Sequence, residues 1–141
     1  MSIAAVFAGA AGGIVSWFAA DFIGRPLRAF FQLRSEIIQC MLTYDNVSAP
    51  INERGKPSED FTEDDLARLK EAQVALRQLA MKMQSFAATE ALAARLLAFR
   101  YDPMKAGQSL VGYSNRIAIY GTERWEHRNK VLAALKIEGL S

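Results

Sequence analysis

Apolar residues run almost without interruption from Ile3 to Gly24, and only beyond Pro26 do polar residues begin to alternate with them. The first stretch reads IAAVFAGAAGGIVSWFAADFIG, with no charged residue between Ser2 and Ala20. Twenty-two helical residues rise about 33 Å, enough for a hydrocarbon core of about 30 Å. The pattern predicts a transmembrane helix within residues 1–26. Asp21 belongs at its edge, because a carboxylate at the bilayer centre costs at least roughly 2.5 kcal/mol. Trp17 lies within a turn of Asp21, where an interfacial indole is expected, and Arg25 and Arg28 follow to reach phosphates. The glycines weaken a helix in water and are tolerated in lipid, where backbone groups have no water to turn to. Two rivals are a signal peptide, which wants a basic start, and a buried helix of a water-soluble bundle.

Within the segment, Ala5, Gly9, Gly13 and Trp17 recur at intervals of four, and so do Ala8, Gly12, Ser16 and Ala20. Residues four apart share a helix face, so these two rows form a broad strip without bulk. Backbones approach closely over such a strip, and van der Waals contact supplies the attraction that hydrophobicity cannot supply inside lipid. The expected partners are lipid and other transmembrane helices, by self-association or within a larger complex. Arg25, Arg28 and Arg34 all follow the span, which orients the amino terminus outward and the rest into the cytoplasm of a bacterial-type inner membrane.

Residues 27–141 read as a small helical domain, making the chain all-α: one amino-terminal span, then a cytoplasmic bundle of four to five helices. Pro26 disfavours helical geometry at Arg25, so the chain either kinks there or continues as a bent helix. In 27–44, Leu27, Phe30, Phe31, Arg34, Ile37, Ile38, Met41 and Leu42 recur at three and four, with Arg34 the exception. The second half of this helix is expected in the core, with Arg28 and Arg34 available to anionic headgroups near its start. Residues 45–61 hold two prolines, a glycine and mixed charges and read as an irregular connection.

Thr62 opens the next helix, with acidic residues where unpaired N–H groups favour negative charge. Leu66, Leu69, Leu76, Leu79, Met83 and Phe86 form its stripe, and Leu92, Leu96 and Leu97 continue it toward Phe99, in one helix or two. In 105–120, Leu110, Val111, Ser114, Ile117 and Ala118 share a side, and Gly107 and Gly112 mark close crossings. NRIAIYG alternates like a short strand that lacks a partner. Thr122 is expected to cap the last helix, anchored by Trp125, Val131, Leu132, Leu135 and Ile137 and stopped by Gly139.

Composition narrows the chemistry. A net charge of +2 does not announce nucleic acid. The single cysteine, Cys40, excludes an internal disulfide and sits among apolar neighbours that suggest a buried thiol. One histidine, His127, far from Cys40, excludes a local zinc site. Glu123 and His127 share a helix face, as exposed pairs routinely do. Asn115 is a polar insertion between apolar turns, suited to a buried carbonyl or to setting register. The acids from Glu59 to Asp65 lack the pattern of a calcium loop. No catalytic residue, cofactor or metal site is assigned. The pattern leads to a non-catalytic, membrane-anchored assembly or accessory subunit acting through helix packing. Its alternative is an oligomeric pore or gated effector, with Asp21 and Arg25 at an entrance.

Overall fold

The computed structural model describes residues 3–51 and 54–138; of the first helix, side chains are described at Gly9 and from Gly12 onward. Among the described residues the chain is all-helical. It runs through α1 (Ile3–Ala19), a π-helical turn (Ala20–Gly24), α2 (Arg25–Thr43), α3 (Glu63–Thr89), α4 (Ala91–Leu97), α5 (Pro103–Arg116) and α6 (Thr122–Ala134).

The predicted span takes a different form. Among the described residues no helix is long and apolar enough to cross a membrane. The 17 residues of α1 rise about 26 Å before the α-helical pattern gives way. The cause is Pro26, which has no N–H to donate and whose ring crowds the carbonyl four residues back. The chain answers with a wider turn, in which the Arg25 N–H bonds to the Ala20 carbonyl. Backbone angles remain helical at Ala19, Gly24 and Arg25, so the path from α1 into α2 is one continuous rod rather than a break at the proline.

Behind this rod, α2, α3, α5 and α6 form a bundle. Phe30, Leu33, Ile37 and Met41 are the buried edge of α2, a narrower strip than the pattern predicts, since Phe31 and Leu42 stay about half exposed. The strip meets α3, which runs the opposite way: Phe30 lies 5.7 Å from Phe86 near the end of α3, and Arg68 near its start donates to the Thr43 carbonyl. The capping box at Thr62 is formed, and the N–H of Thr62 holds the Asp65 carboxyl below its usual range. Leu69, Leu76, Leu79, Met83 and Phe86 are buried as the stripe requires, whereas Leu66 is exposed. Residues 62–99 are two helices, separated at Glu90, whose backbone leaves the helical region.

Both glycines of α5 sit at crossings. A Cβ on Gly107 would stand 2.6 Å from Gln84 Cγ and 3.1 Å from the Ala80 carbonyl, and one on Gly112 would collide with the His127 ring. Helix α5 ends at Arg116. The residues after it do not lack a partner, because Ile119 bridges to Ile51 and the Tyr120 N–H bonds to the Ile51 carbonyl at 3.1 Å. The last helix has Gly121 at its N-cap position, so Thr122 opens the helix without capping it. The helix ends at Ala134; Gly139, the expected stop, lies outside the described residues. Lys136 takes a left-handed φ of 49°, and the Ile137 N–H returns to the Leu132 carbonyl at 2.9 Å.

Arg34 secures this ending. Its Nε donates to the Leu135 carbonyl at 2.8 Å and its Nη2 to the Lys136 carbonyl at 2.9 Å, so the apparent exception in the α2 stripe serves the fold rather than a headgroup. Replacing Arg34 with Met strands two carbonyls and is expected to lower stability by roughly 1–3 kcal/mol. The exposed Arg28→Met should stay within about 0.5 kcal/mol. Urea unfolding of the two variants checks the contrast, and equal losses would refute it.

Candidate functional site

Two constellations stand out, one on each side of the bundle. The first is α1 with its π-turn. Gly9 and every residue from Gly12 to Ala20 are exposed, including Ile14 and Val15 at 68%, Trp17 at 63% and Phe18 at 50%. Nine consecutive exposed residues cover the full circumference of a helix, so this part of α1 has no buried face. Among the described residues its substantial contacts are with the π-turn. Of the predicted packing residues, Gly9, Gly12, Gly13, Ser16 and Ala20 are open to the outside; Ala5 and Ala8 lie outside the residues whose side chains are described. A Cβ added to Gly9, Gly12 or Gly13 would meet nothing within 4 Å.

At the base of this helix the predicted interface residues come together. Trp17 and Phe18 both lean on Phe22, the first edge-on at 6.4 Å and the second stacked at 4.4 Å. Asp21 forms an ion pair with Arg25 one turn on, and Arg28 Nε reaches back to the Gly24 carbonyl at 3.4 Å.

The second constellation was not anticipated from the sequence. Arg124 and Arg128 are buried, at 2% and 6% exposure. Arg124 donates from Nη1 to the carbonyls of Val47 and Ile117 and from Nη2 to that of Asp45, each at 3.4 Å. Arg128 Nη2 lies 3.3 Å from Asp45 Oδ1, an ion pair without the alignment of a hydrogen bond. Both guanidiniums lie over Trp125, at 5.8 and 5.5 Å, and Arg124 also over Tyr120 at 6.0 Å. Burial raises the Tyr113 phenol, with Arg124 opposing the rise. The signal was present: Arg124, Arg128, Val131 and Leu135 keep one helical register, so the two arginines stand on the core-facing side of α6. They clamp the start of the 45–61 connection to α6.

The remaining candidates are occupied or separate. Glu123 pairs with Arg116 at 3.0 Å instead of His127, whose Nδ1 is buried against Gly112 without a hydrogen-bond partner. Asn115 is exposed and accepts from Arg77 at 2.9 Å, so it neither satisfies a buried carbonyl nor sets register. Ser114 beside it is fully buried and donates to the Val111 carbonyl. No group of three or more potential metal ligands occurs among the described residues. Cys40 is half-buried, and desolvation pushes its thiol up to about 11.

No protein-family model matches the chain, and neither the curated proteins nor the solved structures compared with it contain a match.

Removing Asp45 leaves the buried Arg128 cation without its counter-ion, whereas removing Arg128 leaves a carboxylate whose side chain is 39% exposed and can turn to water. Asp45→Ala should therefore destabilise more than Arg128→Met, as parallel denaturant curves would show; the reverse order would mean that the pair contributes only packing. The raised thiol gives a pH dependence. Alkylation of folded Cys40 should be slow at pH 8, rise steadily as the pH approaches about 11, and become fast at pH 8 on unfolding. Iodoacetamide labelling followed by mass measurement reads all three.

Proposed function

We propose that this chain is a membrane-anchored, non-catalytic assembly or accessory subunit: α1 enters lipid, its small-residue side docks on another helix, and the bundle stands in the cytoplasm of a bacterial-type cell. The supporting observation is that α1 is apolar and exposed on all sides where its side chains are described. A helix of this kind is stable where something other than water surrounds it. Ile14, Val15, Trp17, Phe18 and Phe22 are each at least 50% exposed, and fully burying such a side chain is worth about 1.5–3 kcal/mol.

Length is the feature that the reading must accommodate. The rise of α1 falls a few ångströms short of a typical core, but the helical path runs on through Ala20–Gly24. A bilayer adapts to a short span by thinning at modest cost, and flanking arginines extend their reach by snorkelling. The orientation rests on the arginines that follow the helix. The open space over Gly9, Gly12 and Gly13 supports the docking half of the reading, because a neighbouring backbone meets no side chain there. A pore is less well supported: the charges that would line its entrance, Asp21 and Arg25, are spent on each other.

Disulfide trapping tests the reading. In a Cys40→Ser background, Ser16→Cys should yield an oxidised adduct of higher mass in native membranes. Adding Gly9→Ile and Gly13→Ile should abolish that adduct while leaving the bundle's thermal midpoint unchanged. A chain recovered entirely from the aqueous fraction, without an adduct, would overturn both halves.

A further inference from the structure

Helices α2 and α3 run antiparallel, and α4 follows α3, so α4 comes back to the end of the bundle where α1 joins. Side-chain contacts place it there. Thr89 and Glu90 line the same groove as Ala29 and Gln32, and Tyr101 just beyond α4 packs on Phe30 at 5.2 Å and Phe31 at 5.9 Å. Ala29 is only one helical turn past Arg25. Whatever surrounds the base of α1 is therefore close to α4.

Two adjacent rows of α4 are apolar, offset by one residue and so by roughly 100°. Ala93 and Leu97 turn inward and are buried, whereas Leu92 and Leu96, four apart, are 48% and 42% exposed. Phe99, in the turn just past α4, follows Leu92 and Leu96 in sequence spacing and is 87% exposed, the highest value among the described large apolar side chains. The stripe is bordered by arginine. Arg95 and Arg100 are exposed beside it, and Arg25 and Arg28 are exposed at the base of α1. Acids near this end include Asp21, Glu90 and Asp102, and Glu36 lines the same groove as Ala29 and Glu90, paired there with Lys82 at 3.3 Å. Asp21 is paired with Arg25, and Asp102 is engaged as the cap of α5, accepting the Lys105 N–H at 3.0 Å. An apolar stripe edged by arginines matches the boundary of an anionic bilayer, where rings and leucines enter below the headgroups and guanidiniums bind phosphates.

We infer that Leu92, Leu96 and Phe99, with Arg95 and Arg100, form a second membrane contact that lays the α1 end of the bundle on an anionic lipid surface. This rests on the reading that α1 lies in lipid. It adds that the bundle does not hang free below its anchor but is held against the headgroups at a fixed side, leaving the end that carries Arg124, Arg128 and the 45–61 connection turned away from the membrane.

The test uses the full chain, reconstituted by detergent removal into phosphatidylcholine vesicles with or without phosphatidylglycerol. In the Cys40→Ser background, an environment-sensitive fluorophore is attached through Phe99→Cys, Ser16→Cys or, as a distal control, Thr122→Cys. The expected result is a blue shift at position 99 with the anionic vesicles, quenching there by lipids carrying a shallow spin label, and no shift at position 122. Arg95→Glu with Arg100→Glu should remove the shift at 99 and leave that at 16. A blue shift at 16 with none at 99 overturns the inference and leaves α1 in lipid, assigning the stripe to a protein contact. A shift at 99 without one at 16 retains the surface contact and overturns the reading of α1. Equal shifts at 99 on neutral and anionic vesicles would overturn the part given to the arginines.

Discussion

Water penalises every methyl group that a helix leaves uncovered, and α1 leaves its described side chains uncovered all the way round. The rest of the chain obeys the opposite arrangement. Phe30, Ile37, Leu76, Met83, Leu110 and Ile117 are almost wholly enclosed, with polar residues on the outer faces of the same helices. One polypeptide thus contains a part built around a buried core and a part whose described side chains have none. The second part makes the molecule dependent on surroundings that its own fold does not supply, and the proposed role follows from that dependence.

The joint between the two parts is built from one residue's constraint. Pro26 removes a hydrogen bond from the first turn of α2, and the π-turn before it absorbs the misfit while keeping the backbone helical. Helix α1 is consequently continuous with a bundle helix instead of tethered by a flexible loop. Phe30 and Phe31, one to two turns beyond the proline, are packed against Tyr101 and Phe86, so the start of α2 is tied to the core.

At its other end the bundle spends buried charge on holding a connection. Arg124 and Arg128 satisfy backbone carbonyls and a single carboxylate, and their stems and planes are covered by Trp125 and Tyr120. Arginine suits this work better than lysine, since its flat, weakly hydrated group both stacks and forks. Arg34 performs a similar service for the end of α6, where the left-handed Lys136 needs its neighbours held. Three arginines of this chain therefore act inside the fold, while those near α1 and α4 face outward.

Much of this was legible in the residues. Periodicity at three and four located α2, α3, α5 and α6, the TEDD start marked the beginning of α3, and Gly107 and Gly112 marked crossings, because each depends on local geometry alone. The near-absence of polar residues from 3 to 20 likewise marked a segment without an inward and an outward face, and its described side chains are exposed. Tertiary structure decided the rest. Only packing shows that α3 and α4 separate at Glu90, that Asn115 faces out and Ser114 in, and that Phe31 and Leu42 fall beside the contact instead of within it. Only the folded chain brings Asp45 to Arg128 and Tyr101 to Phe30, since burial of a charge or a ring depends on which distant segment arrives to cover it. A pattern along one helix states what that helix needs; which neighbour meets the need is set by the whole chain closing around it.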